Sequence, residues 1–182
     1  MLYPGKPKEI YSDSNFFIEK SLDPEWVAEP KWNGWRAFLL SDEIGKITAY
    51  NSKGTILSYF KTEGIKIPPL TYLDAEWVEK RTTNVKNKLV VFGILQYDGK
   101  ILNGKEAIRR AILEDLFSEK LVTSTGVEMS LVQRFSEDFL THFTELRDEK
   151  VIEGLVLKKI TAELEYSVTA QFKSFTQLKV KK

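Results

Sequence analysis

The chain has 182 residues, of which 42% are hydrophobic and 12% aromatic, a composition that predicts one globular domain and excludes a disordered chain. The formal net charge of +1 carries no overall signature of nucleic-acid binding, so such binding would need a local patch such as the lysines of 173–182. The lack of cysteine excludes disulfides, thiol catalysis and cysteine-ligated zinc. With no apolar run near the roughly 20 residues of a membrane span and no signal peptide, we expect no membrane partner and a cytoplasmic protein, or a viral protein acting in the host cytoplasm.

Strands dominate the predicted elements, and two helices lie between them. Residues 1–24 are polar and rich in turn formers, so there we expect a loose segment with one short strand or helix near 16–20. Alternating and apolar runs predict strands at 26–31, 35–40, 46–50, 73–79, 89–95, 128–132, 154–160, 171–175 and 177–180. Apolar residues at helical spacing predict helices at 106–120 and 136–147, the second capped by Ser136. Hairpin-length connections favour an α+β domain with antiparallel pairing.

A tight-turn signal lies within EPKWNGWR, residues 29–36. An Asn33-Gly34 pair between two strand-like runs is typical of a type I′ β-hairpin, so on spacing alone we predict that the two flanking strands pair. The hairpin accounts for the turn. It does not account for the two cations, Lys31 and Arg36, that stand so close to it.

Five short segments place charged residues within strand-like runs. They are EPKWNGWR (29–36), LDAEWV (73–78), VVFGILQYDG (90–99), EGLVLKK (153–159) and QLKVK (177–181). In this order they resemble the K-x-D-G-x-R, L-D-G-E, F-D-I-L, E-G-x-V-x-K and W-L-K-x-K motifs of the adenylation domain of ATP-dependent DNA ligases. That superfamily also contains RNA ligases and mRNA capping enzymes. The resemblance implies two mainly antiparallel β-sheets with flanking helices and a nucleotide cleft between them, in one nucleotidyltransferase domain over 1–182.

The resemblance gives the central role to Lys31, whose amine would attack the α-phosphorus of ATP and carry a covalent AMP. A lysine amine is nucleophilic only when neutral, and burial and nearby cations both lower a lysine pKa. The implied cations would also hold phosphate oxygens as negative charge moves in the transition state. These cations are Arg36, Lys158, Lys179 and Lys181. Taken singly, each is typical of a solvated surface.

Two carboxylates are implied as ligands of Mg²⁺, which suits carboxylate and phosphate oxygens. Glu76 would contact the nucleotide ribose or the metal, and Glu153 would hold the metal. Phe92 would stack on the adenine, and its continuous apolar strand fits a plain core residue equally well. Glu29 would lie close to the edge of the base, where a backbone contact would serve as well. Asp74 shares a strand face with Glu76 and is a helper, a structural acceptor or without a role.

Three positions depart from the family pattern. Asn33 replaces an aspartate, Ser52 replaces an arginine that would grip phosphate, and Gly93 replaces the aspartate of the F-D-I-L strand. These changes leave the fold alone and predict slow adenylylation. DNA ligases usually continue into an OB-fold domain, and no OB-fold segment follows Lys182 in this sequence. We therefore expect any nick sealing to be slow and sensitive to salt.

The sequence thus predicts the catalytic domain of an ATP-dependent DNA ligase, which uses ATP and Mg²⁺ and acts as a monomer on nicked double-stranded DNA. Arg36 after the K-x-N-G pattern favours DNA over RNA as the partner. Two alternatives stay open. One is a catalytically impaired domain that binds nucleotide or nucleic acid. The other is an RNA ligase or an mRNA capping guanylyltransferase, although EGLVLKK is more similar to ligases than to the D-G-L-I-F type of capping enzymes.

Overall fold

The computed structural model describes residues 1–11, 13–78, 85 and 87–181. Within them the strands are β1 (Tyr3–Pro4), β2 (Lys6–Glu9), β3 (Trp26–Trp32), β4 (Trp35–Ser41), β5 (Ile47–Asn51), β6 (Ile65–Lys66), β7 (Tyr72–Trp77), β8 (Lys88–Tyr97), β9 (Lys100–Ile101), β10 (Thr123–Ser124), β11 (Glu128–Leu131), β12 (Ile152–Lys159), β13 (Tyr166–Ser167) and β14 (Lys173–Lys181). The helices are α1 (Ser14–Leu22), α2 (Glu106–Ser118) and α3 (Phe139–Glu145), followed by a 3₁₀ turn at Leu146–Asp148. Glu79 and Lys182, the last residues of the predicted strand 73–79 and of the predicted domain, lie outside the described residues.

Two larger β-sheets form the body of the fold within the described residues. Sheet I has the strand order β11-β8-β7-β4-β5, with β9 beside β8. Sheet II has the order β2-β14-β12-β3. Their strand pairs are antiparallel except for β11 beside β8 and β14 beside β2. The predicted α+β class with two mainly antiparallel sheets and flanking helices is confirmed.

The alternation of side chains along each strand separates a packed face from a cleft face. In β12, Leu155 and Leu157 are fully buried and pack with Phe17 of α1 and Phe139 of α3. Lys158, whose side chain lies on the opposite face of β12, faces the cleft between the sheets. The corresponding cluster of sheet I joins strand residues to the apolar face of α2 and includes Leu39, Leu73, Leu89, Leu113 and Leu116. The helices therefore cover the outer faces and leave the inner faces to the cleft.

Two irregularities in strand pairing break this alternation. In β12 the register with β3 shifts between Ile152 and Gly154, so Glu153 lies at the irregularity. In β8 the pairing with β7 skips Phe92. A shift of one residue moves a side chain to the opposite face of a sheet. Glu153 therefore lines the cleft although it has the same parity as the buried Leu155.

Asn33 and Gly34 connect the two sheets, so the predicted hairpin is wrong. β3 pairs with β12, whereas β4 pairs with β5 and β7. The chain thus crosses from sheet II to sheet I at this point. The backbone N–H of Asn33 donates to the carbonyl oxygen of Val151 at 2.8 Å. Burial of β3 and β4 in separate sheets has overridden the local turn preference of the Asn-Gly pair.

Three further boundaries differ from the sequence prediction. The last two predicted strands are one strand, β14, in the structure. The predicted helix at 136–147 is α3, which begins at Phe139. Its N-cap position is Asp138, with a φ of 52° and no side-chain cap hydrogen bond, so Ser136 is not the N-cap. Residues 1–24 hold β1, β2 and α1. The two strands were missed because their partners, β13 and β14, lie at the other end of the chain.

The φ of Gly34 is not positive, so its backbone conformation does not call for glycine. Close packing around it does. A Cβ atom there would lie 2.5 Å from the carbonyl oxygen of Trp77 and 2.8 Å from Cγ of Glu76. Because backbone would have to move, Gly34→Ala should lower the free energy of unfolding by about 2–3 kcal/mol. Urea unfolding measures the loss. Gly104→Ala is the control, because its new Cβ would meet no atom closer than 3.7 Å. Equal losses for the two variants would contradict the prediction.

Candidate active site

A cleft of about 770 Å³ lies between the inner faces of sheets I and II, a volume in the range of small-molecule sites. The structure brings every predicted site residue to this cleft, from the six strands β3, β4, β7, β8, β12 and β14. These residues are Glu29, Lys31, Arg36, Glu76, Phe92, Glu153, Lys158, Lys179 and Lys181. Four kinds of chemical group meet there: primary amines, a guanidinium, carboxylates and an aromatic ring.

Lys31 and Glu153 form a close ion pair inside the cleft. The ammonium of Lys31 donates to Oε2 of Glu153, and the two side chains are 22% and 21% exposed. The pair arises because β3 and β12 are neighbours, with Lys31 opposite Gly154. An ammonium is not a nucleophile, so the amine would act only after losing its proton. Glu153 is an acceptor in direct contact with that proton.

Arg36 is held by Asp74 through two hydrogen bonds. Nε donates to Oδ1 at 2.9 Å and Nη2 donates to Oδ2 at 2.5 Å. Both side chains are largely buried, so this is a charge-assisted, bidentate pair in a partly desolvated place. The sequence left three roles open for Asp74, and these hydrogen bonds favour that of a structural acceptor. Arg36 can reach a ligand only with its remaining N–H groups.

Glu29 belongs to a buried ion network behind the cleft wall. Its side chain is 2% exposed and accepts from Lys158 Nζ at 2.7 Å and from Arg134 Nη2 at 2.7 Å. Lys158 also donates to the carbonyl oxygen of Phe92 at 2.8 Å, which ties sheet II to sheet I. Both carboxylate oxygens of Glu29 are thus engaged. This favours the backbone of Glu29, not its side chain, for the predicted contact with a nucleotide base.

The network continues into α2, and sequence reasoning missed this part. Arg134 Nη2 donates to Glu106 Oε1 at 2.7 Å, and Arg109 Nη2 donates to Glu106 Oε2 at 2.8 Å. Burial alone would raise the pKa of Glu106, but Lys158, Arg109 and Arg134 hold it below its usual value. The signal available in the sequence was Arg109-Arg110, two adjacent arginines on a helix that the structure buries.

Lys179 and Lys181 project from one face of β14 into the cleft, as alternate residues of a strand must. Val180 between them is buried on the opposite side with α1 and α3. One oxygen of Glu9 lies 2.8 Å from Lys179 Nζ and 3.5 Å from Lys181 Nζ. The hydrogen bond from Lys179 holds the pKa of Glu9 below its usual value. Glu9, on the neighbouring strand β2, was not predicted from the sequence.

Phe92 has a packed side and a cleft side. It packs against the buried cluster of Val78, Val90 and Val132 and also lines the cleft. The guanidinium of Arg36 lies 5.7 Å from its ring centre and Lys158 Nζ lies 5.5 Å from it, within the range of cation–π attraction. The ring is therefore fixed in place by contacts on both sides.

Glu76 shares the β7 face of Asp74 and lines the cleft. Burial raises the pKa of Glu76 to about 7; Lys31 and Arg36 lower it, and Asp74 and Glu153 raise it further. Glu76 therefore changes its charge near neutral pH. A divalent cation or an additional donor beside it would favour the ionised form.

Of the three carboxylates that line the cleft in the described part of the chain, Glu76 and Glu153 are the candidates for a divalent metal, because both oxygens of Glu29 are engaged by Lys158 and Arg134. No group of three or more histidine, aspartate or glutamate side chains among the described residues is arranged to hold a metal ion. Glu76 and Glu153 both line the cleft, and Glu153 acts on the pKa of Glu76. Mg²⁺ is commonly held by one or two carboxylates together with substrate phosphates and waters. The residues therefore fit a metal that arrives with a phosphorylated ligand.

Several solved structures of DNA ligases share this arrangement of elements. The ligase domain of LigD from M. tuberculosis has a TM-score of 0.69 and 17% identity, covering 98% of this chain and 59% of that one. A mycobacterial DNA ligase D complexed with ATP and MES has a TM-score of 0.69 and 17% sequence identity; the match covers 98% of this chain and 60% of that one. The ATP-dependent DNA ligase of bacteriophage T7, in complex with ATP, has a TM-score of 0.60 and 16% sequence identity; the match covers 98% of this chain and 68% of that one.

The chain has the fold of DNA ligase catalytic domains. It spans about three fifths of the length of the two mycobacterial ligase structures. No protein-family model and no curated protein sequence matches it significantly, so the likeness is one of fold. No helix in the described part of the chain is long and apolar enough to cross a membrane.

The structure shows the surroundings of Gly93 and Ser52, two positions at which the sequence departs from the ligase motifs. Gly93 lies opposite Asp74 in the sheet, and a Cβ there would come within 3.3 Å of the Asp74 Cβ. An aspartate at this position would place a second carboxylate beside the Arg36–Asp74 pair, and Gly93 avoids that repulsion. Ser52 lines the cleft, so a short hydroxyl stands where a longer cation is expected.

The raised pKa of Glu76 predicts a pH-dependent stability. Between its ordinary value of 4.5 and about 7, the folded protein keeps a proton that the unfolded chain releases, so stability falls as pH rises through this window. Glu76→Gln removes the effect. Relative to wild type, the variant should gain about 3 kcal/mol between pH 4.5 and pH 8. Urea unfolding at both pH values measures this, with the exposed Glu43→Gln as control. A constant difference between Glu76→Gln and wild type would refute the assignment.

Proposed function

We propose that this chain is the catalytic domain of an ATP-dependent DNA ligase. The observation that carries the proposal is the convergence of nine motif residues on one cleft between the two sheets, in a fold whose solved examples include DNA ligases in complex with ATP. The proposed acting form is the monomer. ATP, Mg²⁺ and nicked double-stranded DNA are the proposed ligands.

In the first step the amine of Lys31 attacks the α-phosphorus of ATP. A phosphorus–nitrogen bond forms, the bond from the α-phosphorus to the bridging oxygen of the β-phosphate breaks, and pyrophosphate leaves with the bonding electron pair. The proton of Lys31 passes first to Glu153, its contact in the structure. Glu76 and Glu153 would hold Mg²⁺ when it is bound, and the metal would supply neutralisation of phosphate charge.

Lys179 and Lys181 would stabilise the charge that develops on the α-phosphate. Both are occupied by Glu9 in this structure, so a phosphate oxygen must displace that carboxylate. Exposed pairs of this kind are weak in water, and a multiply charged phosphate competes well for the same two amines. Phe92 would offer its cleft side to the adenine.

Two further steps complete ligation. The 5′-phosphate of a nick attacks the lysyl-bound AMP, so a diphosphate linkage forms and the phosphorus–nitrogen bond to Lys31 breaks. The 3′-hydroxyl then attacks the activated 5′-phosphate, the phosphodiester forms and AMP leaves. The favoured partner is DNA; RNA is less favoured.

A catalytically impaired domain is the second candidate. The pairing of Lys31 with Glu153 and of Arg36 with Asp74 leaves neither cation free before a ligand arrives. If the pairs persist with ATP bound, the domain would bind nucleotide without turnover. RNA ligase and capping guanylyltransferase activities are separated from DNA ligase activity by the nucleotide donor and the nucleic acid used.

The decisive experiment is intact-mass measurement of the protein after incubation with ATP, GTP or NAD⁺ in the presence of Mg²⁺. An AMP adduct from ATP supports the ligase, and sealing of nicked DNA versus nicked RNA then separates the two polynucleotide ligases. An adduct of GMP would support a capping enzyme. No adduct with any donor, combined with measurable ATP binding, would support the impaired domain.

Lys31→Ala should abolish the AMP adduct, because it removes the amine that attacks the α-phosphorus. The measurement is intact mass after incubation with ATP and Mg²⁺, with circular dichroism to show that the fold persists. Lys46→Ala, at an exposed position outside the cleft, is the matched control and should keep the adduct. An undiminished adduct on Lys31→Ala would show that another residue carries the AMP.

Glu9→Gln should tighten ATP binding, because it removes the carboxylate that competes with phosphate for Lys179 and Lys181. We expect the Kd for ATP to fall about two- to fivefold at low salt and the gain to shrink as salt rises. Glu25→Gln is the control: Glu25 is 45% exposed, as Glu9 is, and pairs with Lys159 at 2.8 Å outside the cleft. Weaker binding by Glu9→Gln alone would show that Glu9 orders the lysines for the nucleotide.

A further inference from the structure

The charges that line the cleft do not balance. Among the described residues, seven cations and three carboxylates line it. Most of the cations have a resident carboxylate, on the lining or just behind it: Lys31 with Glu153, Arg36 with Asp74, Lys158 with Glu29, and Lys179 and Lys181 with Glu9. The two that are left, Lys6 and Lys53, make no ion pair within the described part of the chain.

Lys6 and Lys53 come from the two sheets and meet at one end of the cleft. Lys6 lies on β2, the edge strand of sheet II, and Lys53 follows β5, the edge strand of sheet I. Tyr3, just before β2, packs against the turn that carries Lys53. The contact is so close that a Cβ at Gly54 would overlap the Tyr3 hydroxyl. This packing joins the N-terminal segment to the turn, so that both lysines line the same cleft.

The turn that carries Lys53 has a fixed conformation. Oδ1 of Asn51 accepts the backbone N–H groups of Lys53 at 2.8 Å and of Thr55 at 3.0 Å. Gly54 has a φ of +80°, which a glycine adopts without strain. The turn therefore presents the Lys53 side chain at the cleft without needing a ligand to order the backbone.

Lys6 lies among other cations, of which Arg36 and Lys179 have carboxylate partners and Lys53 has none in the described part of the chain. Burial lowers the pKa of Lys6, and Arg36, Lys179 and Lys53 lower it further. No carboxylate contributes to this shift. Like charges gathered in this way repel one another, and a bound anion would relieve the repulsion.

We propose that Lys6 and Lys53 form a polyphosphate subsite that binds the β- and γ-phosphates of the nucleotide whose α-phosphate is attacked by Lys31. This rests on the proposed function and extends it to the leaving group. As the bond to the α-phosphorus breaks, negative charge grows on the β-phosphate, and two amines without competing carboxylates stabilise it. A nucleotide is favoured over a DNA backbone because both lysines line the cleft that holds Lys31.

Lys6→Gln and Lys53→Gln test the subsite, with Lys8→Gln as the matched control. Lys8 is exposed on the same strand as Lys6 and does not line the cleft. The ligands are an ATP analogue with a methylene group between the α- and β-phosphates, AMP, and inorganic pyrophosphate, each titrated by calorimetry. Each cleft variant should weaken analogue and pyrophosphate binding by about three- to tenfold. AMP binding should stay unchanged, and Lys8→Gln should bind all three ligands like wild type.

The outcomes separate the subsite from the proposed function. Loss of analogue affinity no greater than for Lys8→Gln would overturn the subsite, as would an equal loss for AMP. Unchanged analogue binding with weaker binding of a nicked duplex would overturn it too, since the lysines would then serve the DNA backbone. Pyrophosphate binding that depends on Lys6 and Lys53 in a protein that never forms an AMP adduct would uphold the subsite and refute the ligase.

Discussion

The cleft depends on the crossing of the chain between the two sheets at Asn33 and Gly34. Because of this crossing, Lys31 and Arg36, which are close in sequence, stand on opposite walls of the cleft. Gly34 lies so close to the backbone of Trp77 that any side chain would collide with it. The same contact holds β7, and with it Glu76, beside the crossing. A hairpin at this position would have put both cations on one sheet and left no cleft between them.

Charge compensation is the second constraint on the site. Cations in a partly desolvated cleft are costly unless paired, and acidic partners are supplied from β2, β3, β7 and β12. The most buried of these pairs, Glu29 with Lys158, continues through Arg134 to Glu106 of α2. Removing one partner of such a network leaves a buried charge without compensation. The network therefore fixes the wall of the cleft, while the more exposed pairs cost less to separate.

The sequence by itself determined the α+β class, the approximate positions of most strands and of helices α2 and α3, and nine of the residues that meet in the cleft. Periodicity was sufficient where a strand has one packed face, as in β7 with Asp74 and Glu76 on the other. The motif order identified Lys31 and the two lysines of β14, because alternate residues of any strand share a face. These features depend on local spacing, which a single sequence contains.

The tertiary structure alone decided how the strands pair and which carboxylate holds which cation. The Asn33-Gly34 pair has the local signal of a hairpin, and only the competition between long-range partners shows that it is a crossing. Phe92 and Glu153 reach the cleft through irregular strand pairing, which depends on the neighbouring strand. Glu9, Lys6 and Lys53 were missed because their places in the cleft come from β2 beside β14 and from Tyr3 against Gly54. Such contacts join segments far apart in sequence, and no local pattern encodes them.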